Sequence, residues 1–204
     1  LILALNRWLV ENIAPPNSKY PQISKGELVS LSDMQFPKIP GIQIPVRIMQ
    51  PYRLNYGFNF RTHGIATIQP PLVGKAFRAL VPQVNRDGNE IAGLMLPDIL
   101  VPLATSTPWN LRPPSMGAPD QVIGLTGGLT GSTLPFPLTR EQRVDSADPR
   151  MSIQERCDSK EDYLEQVRSA AEVLVEQREI LEFDVGRCVD RAGERWDWFT
   201  TRDS

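Results

Sequence analysis

VPQVNRDGNEIAGLMLP, residues 81–97, sets acidic and amide side chains at alternate positions around a glycine and flanks them with apolar runs. Two local folds compete for it. Laid over a helix–loop–helix calcium site, Asn85, Asp87 and Asn89 take the first, third and fifth ligand positions. Glu90 then stands where a glycine must turn the chain, and Leu96 stands where the bidentate glutamate belongs. Loss of that carboxylate removes two of about seven oxygen ligands. The flanks favour the other fold. Phe77, Ala79 and Val81 alternate with Arg78 and Leu80, and Ile91, Gly93 and Met95 alternate with Ala92, Leu94 and Leu96. This period of two predicts strands, and Asp87-Gly88 between them is a hairpin turn signal. The stretch predicts a β-hairpin and no ion site.

Toward the N-terminus, Leu1, Leu5, Trp8 and Leu9 recur at helical spacing, and Asn12 can adopt the left-handed conformation that ends a helix before Pro15 and Pro16. A helix is predicted over 1–12. From 14 to about 56 prolines recur, each fixing φ and removing a donor, so only one short strand, at 27–31, is expected. Toward the C-terminus, residues 97–138 return to loop chemistry, with six prolines between Pro97 and Pro119 followed by the run GLTGGLTGSTLPF. That run lacks the lysine that a phosphate loop needs and reads as a loop. Its glycines let the backbone approach a ligand or another domain closely.

Beyond Thr139 the character changes. Thr139 with Gln142, Ser152 with Glu155, and Ser159 with Asp162 form capping boxes or near relatives, which predict three helix starts. Tyr163, Val167, Ala170, Ala171, Leu174 and Leu181 form an apolar stripe, and Glu161, Glu165, Arg168, Glu172 and Glu176 fall on other faces. An amphipathic helix is predicted over 160–181 and a second helical stretch over 184–192. Trp196 and Trp198, beside Phe199, are expected to pack back on the preceding helix. No internal repeat is visible.

The chain has 204 residues and 41% hydrophobic content, enough to bury a core. A formal net charge of −2 with interspersed signs argues against a nucleic acid partner. No apolar run approaches the roughly 20 residues needed to cross a bilayer, and no membrane partner is expected. The opening LILALNRWLVENI has neither the basic start nor the small-residue cleavage site of a signal peptide. With no methionine at position 1 and no start signal before the helical pattern, the chain reads as beginning within an element.

Cys157 and Cys188 read as two thiols, with a cross-link between them left open. One histidine and two distant cysteines make no metal cluster, and no cofactor is expected. His63 is the sole histidine and so the only base for a nucleophile triad. No GxSxG turn accompanies it; Ser132 follows Gly131 but precedes Thr133 and Leu134. A locally bonded loop histidine is the plainer reading. Asp148-Pro149-Arg150 and Glu155-Arg156 place opposite charges where structural ion pairs form. Trp109-Asn110-Leu111-Arg112 brings a ring, an amide and a guanidinium into one loop, where they could line a pocket or simply pack.

Several blocks together resemble one family: WLVENIAPPNSKYP (8–21), LVPQVNRDGNEIAGLMLPDILVPLATSTPWNLR (80–112), GSTLPF (131–136), and TREQRVDSADPRMSIQERC with DYLEQVRSAAEVLVEQREILEFDV (139–185). They are similar to the C-terminal part of bacterial "alpha/beta hydrolase domain" proteins, esterase-like hydrolases that are often exported. Asn12 departs from the family's usual glycine, and Cys157 from its usual aromatic. The resemblance implies that 1–13 is the last helix of a hydrolase core, 14–138 a proline-rich segment with the hairpin, and 139–204 a helical C-terminal segment. The fold class expected of the chain itself is α+β, the C-terminal portion and extension of an α/β-hydrolase fold. The nucleophile serine and catalytic histidine would precede Leu1, the partner would be the missing N-terminal core, and a small ester the substrate. Trp109, Arg112, Gly127 and Gly128 are the candidate pocket-lining residues. Two readings compete with this one: a non-catalytic interaction module, and a self-sufficient hydrolase using His63.

Overall fold

The computed structural model describes residues 2–46, 48, 50–122 and 131–201. The chain is α+β: among the described residues, helices accompany three separate two-stranded antiparallel sheets. Helix α1 spans Ile2–Glu11, and Asn12 ends it at a φ of 56°. The amide of a short polar side chain tolerates that left-handed geometry better than most. None of α1's residues is buried, and Ile2 and Val10 are 83% and 74% exposed.

The proline-rich stretch that follows is irregular, with 3-10 turns at Ile23–Lys25 and Leu31–Asp33. Strand β1 (Leu28–Val29) falls inside the predicted short strand. The start of this stretch is tied to the helical end of the chain by Arg178, whose guanidinium donates to the Ala14 carbonyl at 3.0 Å, and by a Lys19–Glu179 ion pair at 3.4 Å. A separate ribbon is built from β2 (Tyr52–Asn55) and β3 (Leu72–Ala76), joined by a loop that carries the single helical turn α2 (Phe60–His63).

At the stretch 81–97 the hairpin expectation needs correction. The turn forms: Gly88 takes a φ of 79°, and its amide donates to the Asn85 carbonyl at 3.0 Å. The predicted strands at 77–81 and 91–95 do not. Strand β4 (Val81–Pro82) pairs instead with β1, and across the turn only a bridge at Val84–Glu90 persists. Pro82 has no N–H to give a longer ladder, and Gly93, at a φ of 95°, bends the far arm. Gly88 is fixed for a second reason: a Cβ there would lie 2.8 Å from Cγ2 of Thr105 and 3.0 Å from Phe36.

The core lies in the second half of the chain. Helix α3 (Pro97–Leu100) leads into β5 (Ala104–Thr107), which pairs antiparallel with β6 (Ser132–Pro135) in the register Ala104–Pro135 to Thr107–Ser132. Helix α4 (Arg140–Asp145) starts at the predicted Thr139–Gln142 capping box. Ser152 and Glu155 also bond reciprocally, but the chain there makes one turn and no helix, a correction to the second predicted start.

Helix α5 spans Lys160–Glu176, capped by Ser159, and stops short of the predicted Leu181. Its end is a Schellman motif in which Glu179 donates to the Leu174 carbonyl and Arg178 to that of Val175, each at 2.8 Å. Arg178 takes the left-handed position at a φ of 60°. Helix α6 runs over Asp184–Thr200, well past the predicted 192, so Trp196, Trp198 and Phe199 lie within it. Tyr163 near the start of α5 meets Trp196 near the end of α6 at 5.2 Å between ring centres, which sets the two helices antiparallel. Leu103, Phe136, Ile153, Tyr163, Val167 and Phe199 form the buried cluster between these helices and the β5–β6 pair. Burying the Tyr163 hydroxyl pushes its pKa up to about 12.

Candidate functional site

A buried polar network ties the halves of the core together. Arg150, 3% exposed, donates to both carboxylate oxygens of Asp148, at 3.0 and 2.6 Å, and to the carbonyls of Leu134 and Pro135 at 2.9 and 3.1 Å. Its remaining donor meets the Thr105 hydroxyl at 2.9 Å, and that hydroxyl donates in turn to the Asp87 carbonyl. Burial pushes the Asp148 pKa up, but hydrogen bonds and charge from Arg150 hold it below the ordinary carboxylate value. The Arg150 guanidinium lies 5.2 Å and that of Arg156 4.2 Å from the Phe136 ring centre. Every strong donor here is matched to a fixed acceptor, so the network is structural.

The same holds for the stretch that resembled an ion loop. Asn85 Oδ1 accepts from the amides of Asp87 and Asn89 at 2.9 and 3.1 Å. Buried Asn89 donates to the Ala104 carbonyl at 3.1 Å and accepts from the Ser106 amide at 2.8 Å, which seats the turn on β5. The Asp87 carboxylate is engaged by Arg156. These side chains serve a turn, and among the described residues no group of three or more His, Cys, Asp or Glu side chains is placed to hold a metal.

Where β5 ends, a cleft of about 340 Å³ opens. Thr107 shapes its mouth: its hydroxyl donates to the Trp109 carbonyl at 2.9 Å and accepts from the Ser132 amide at 3.3 Å. Trp109 stands edge-on to Phe36 at 5.2 Å, which holds the indole against the proline-rich segment. The Arg112 amide donates to the Gln121 carbonyl at 2.9 Å, and a Leu111–Val122 bridge closes the loop. Trp109, Asn110, Arg112, Gln43 and Ser132 all face the cleft. The Arg112 guanidinium has no ion pair or hydrogen bond among the described residues. Such a surface combines an apolar wall, an amide and a cation with no partner among the described residues, which suits a small polar or anionic organic molecule.

Sequence reasoning placed Trp109 and Arg112 together, and they line one cleft. Gly127 and Gly128 lie outside the described residues. Gly131 at the near end of that run is sterically required, since a Cβ there would be driven into the Thr107 carbonyl oxygen. Gln43, Gly41 and Ile42 were missed because nothing in a proline-rich loop signals which residues will face inward.

Among the described residues no nucleophile–histidine pair forms at the cleft. Ser132 lines it, but His63 does not; its Nδ1 lies 2.8 Å from the neighbouring Thr62 hydroxyl on the exposed turn α2. Cys157 and Cys188 are unbonded thiols, the first buried and the second half-buried, and burial pushes both pKa values up. Neither has the electropositive, accessible setting of a reactive thiol.

A family model described as "Alpha/beta hydrolase domain" matches residues 1–190. No curated protein and no solved structure matches the chain. The match takes in α1, the cleft, the buried network and the first seven residues of α6, and on it the chain belongs to the alpha/beta hydrolase domain family.

Proposed function

We propose that this chain is the C-terminal part of a carboxylic-ester hydrolase, with the nucleophile serine and catalytic histidine upstream of Leu1. The observation that carries this reading is α1. Its apolar residues Leu5, Trp8 and Leu9 recur at helical spacing, yet it buries none of them. An amphipathic helix draws most of its stability from packing its apolar face, so α1 calls for a body to lie on. In this reading α1 is the last helix of the hydrolase core, 14–138 wraps that core, and 139–204 braces the wrap.

The chemistry expected of the whole enzyme is acyl transfer: serine attacks the ester carbonyl, histidine takes its proton, and fixed N–H donors hold the oxyanion. This chain contributes binding. Trp109 offers a flat apolar wall for an acyl or alcohol group, and Asn110 and Arg112 offer donors to its oxygens.

Two measurements test this reading. The coding sequence upstream of Leu1 should encode a serine elbow followed by a histidine-bearing loop. The longer product should react with a serine-directed fluorophosphonate, and the 204-residue chain should not. Labelling of the short chain, or an unrelated upstream segment, overturns the proposal.

A further inference from the structure

Charge is not spread evenly along this chain. Residues 34–86 carry seven Lys and Arg and not one Asp or Glu, whereas the remainder is acidic enough to bring the whole to −2. The β2–β3 ribbon lies inside that basic stretch. It stands clear of the core: all four residues of β2 are exposed, as are four of the five in β3. Cross-strand pairing puts Leu54 opposite Val73 and Tyr52 opposite Ala76, an apolar face, while Arg53 alternates to the other side. At the tip Tyr56 and Phe60 stack at 4.5 Å, and Phe58 projects beyond them, 94% exposed. Arg53, Arg61, Lys75 and Arg78 are exposed and form no ion pair among the described residues.

We propose that the β2–β3 ribbon is a docking arm for an anionic lipid surface, in which Phe58 and the Tyr52–Leu54–Val73 face enter the interface and Arg53, Arg61 and Lys75 meet the headgroup phosphates. Two features select a bilayer over other acidic partners. Aliphatic side chains such as Leu54, Leu72 and Val73 neither pair with phosphates nor stack on bases, so a nucleic acid leaves them in water. Apolar side chains also occur on both faces of the ribbon, since Leu72 pairs with Asn55 on the side opposite Leu54. A folded protein partner covers one face, whereas a fluid interface surrounds a thin ribbon on both. Cations on flexible stems beside buried rings are the arrangement that interfacial segments use.

The sequence-level expectation of no membrane partner rested on the lack of a spanning segment. No helix among the described residues is long and apolar enough to cross a bilayer, and interfacial docking needs none. None of these residues lines the Trp109 cleft, and beside the ester-hydrolase reading the proposal requires that the ribbon stand off the core that the rest of 14–138 wraps.

The test is co-sedimentation of the full chain with phosphatidylcholine vesicles, with and without phosphatidylserine at about one third, an anionic surface of the kind that attracts basic segments. Binding is expected only to the mixed vesicles and should fall at high salt. Arg53→Glu with Lys75→Glu should reduce it at least tenfold, and Phe58→Ser should reduce it at unchanged charge; all three positions are exposed and leave the core untouched. Leu9→Asp in α1 should leave binding unchanged. Equal binding to neutral vesicles, no binding to either, or loss through Leu9→Asp alone overturns the proposal. So does tight binding of a single-stranded oligonucleotide by a chain that ignores vesicles.

Discussion

Arg156 binds both carboxylate oxygens of Asp87 across 69 positions of sequence, and both side chains are largely shielded. This pair fastens the turn at 85–89 to the helical half of the chain and occupies the one carboxylate a cation would need there. Asp87→Ala should lower stability by about 1–3 kcal/mol, since it leaves a shielded guanidinium without its partner. Millimolar calcium should leave the thermal midpoint of the wild-type chain unmoved, because a ligand that binds the native state raises it.

Arg150 should be the most sensitive single side chain in the core. Arg150→Met strands the Asp148 carboxylate and the carbonyls of Leu134 and Pro135 in a buried setting. The expected loss is about 3–5 kcal/mol, read from the urea midpoint. Arg150→Lys keeps the charge but not the planar fork and should fall between the two.

Acid should act through Glu155 as well as Asp148. The Ser152 amide and hydroxyl and the Arg143 guanidinium hold Glu155 down to about 2, from an ordinary 4.5. The group therefore binds its proton more readily in the unfolded chain. Its stabilisation is complete above about pH 4.5 and is lost as pH falls toward about 2. Glu155→Gln should flatten the fall of the urea midpoint over that window, and the shift of Asp148, in the same direction, should leave a residual slope.

Ala147 offers a gain of stability. It follows α4 at a φ of 55°, with its amide donating to Val144 and that of Asp148 to Arg143, so a second helix ends in a Schellman motif without glycine. An L side chain in that conformation costs about 1 kcal/mol. Ala147→Gly should recover most of it, seen as a higher thermal midpoint, and Ala147→Val should do the reverse.

If the cleft binds substrate in the intact enzyme, Arg112→Ala and Trp109→Ala should raise KM for a small carboxylic ester several-fold while kcat changes less. Equal loss of both constants, or none, would place the substrate elsewhere.

What could be read in advance divides by the range of the interaction. Most local signals held: Asn12 ended its helix left-handed, and Thr139 and Ser159 capped theirs, although the Ser152–Glu155 box closed a turn and started no helix. Signals that depend on a distant partner did not. The alternation at 77–81 looked like a hairpin arm, but the chain's edge went to β1, more than fifty residues upstream. Helix α6 was cut short at 192, although Val185, Val189, Ala192, Trp196 and Phe199 continue one stripe past Gly193. A glycine inside a helix costs about 1 kcal/mol relative to alanine, and burial of Phe199 against the core outweighs it. The cleft was half legible: Trp109 and Arg112 announced themselves by side-chain type, whereas Gln43 and Ile42 joined them through a fold of the proline-rich segment that no periodicity encodes.

The two unbonded cysteines carry a last consequence. Cys157 is sealed among core side chains and Cys188 sits half-covered against α3, and both hold their protons more tightly than a free thiol. Oxidants attack the thiolate, and so find little of it. With no disulfide among the described residues and both thiols held protonated, thiol chemistry finds little to act on, and the thermal midpoint should be the same in glutathione as in air.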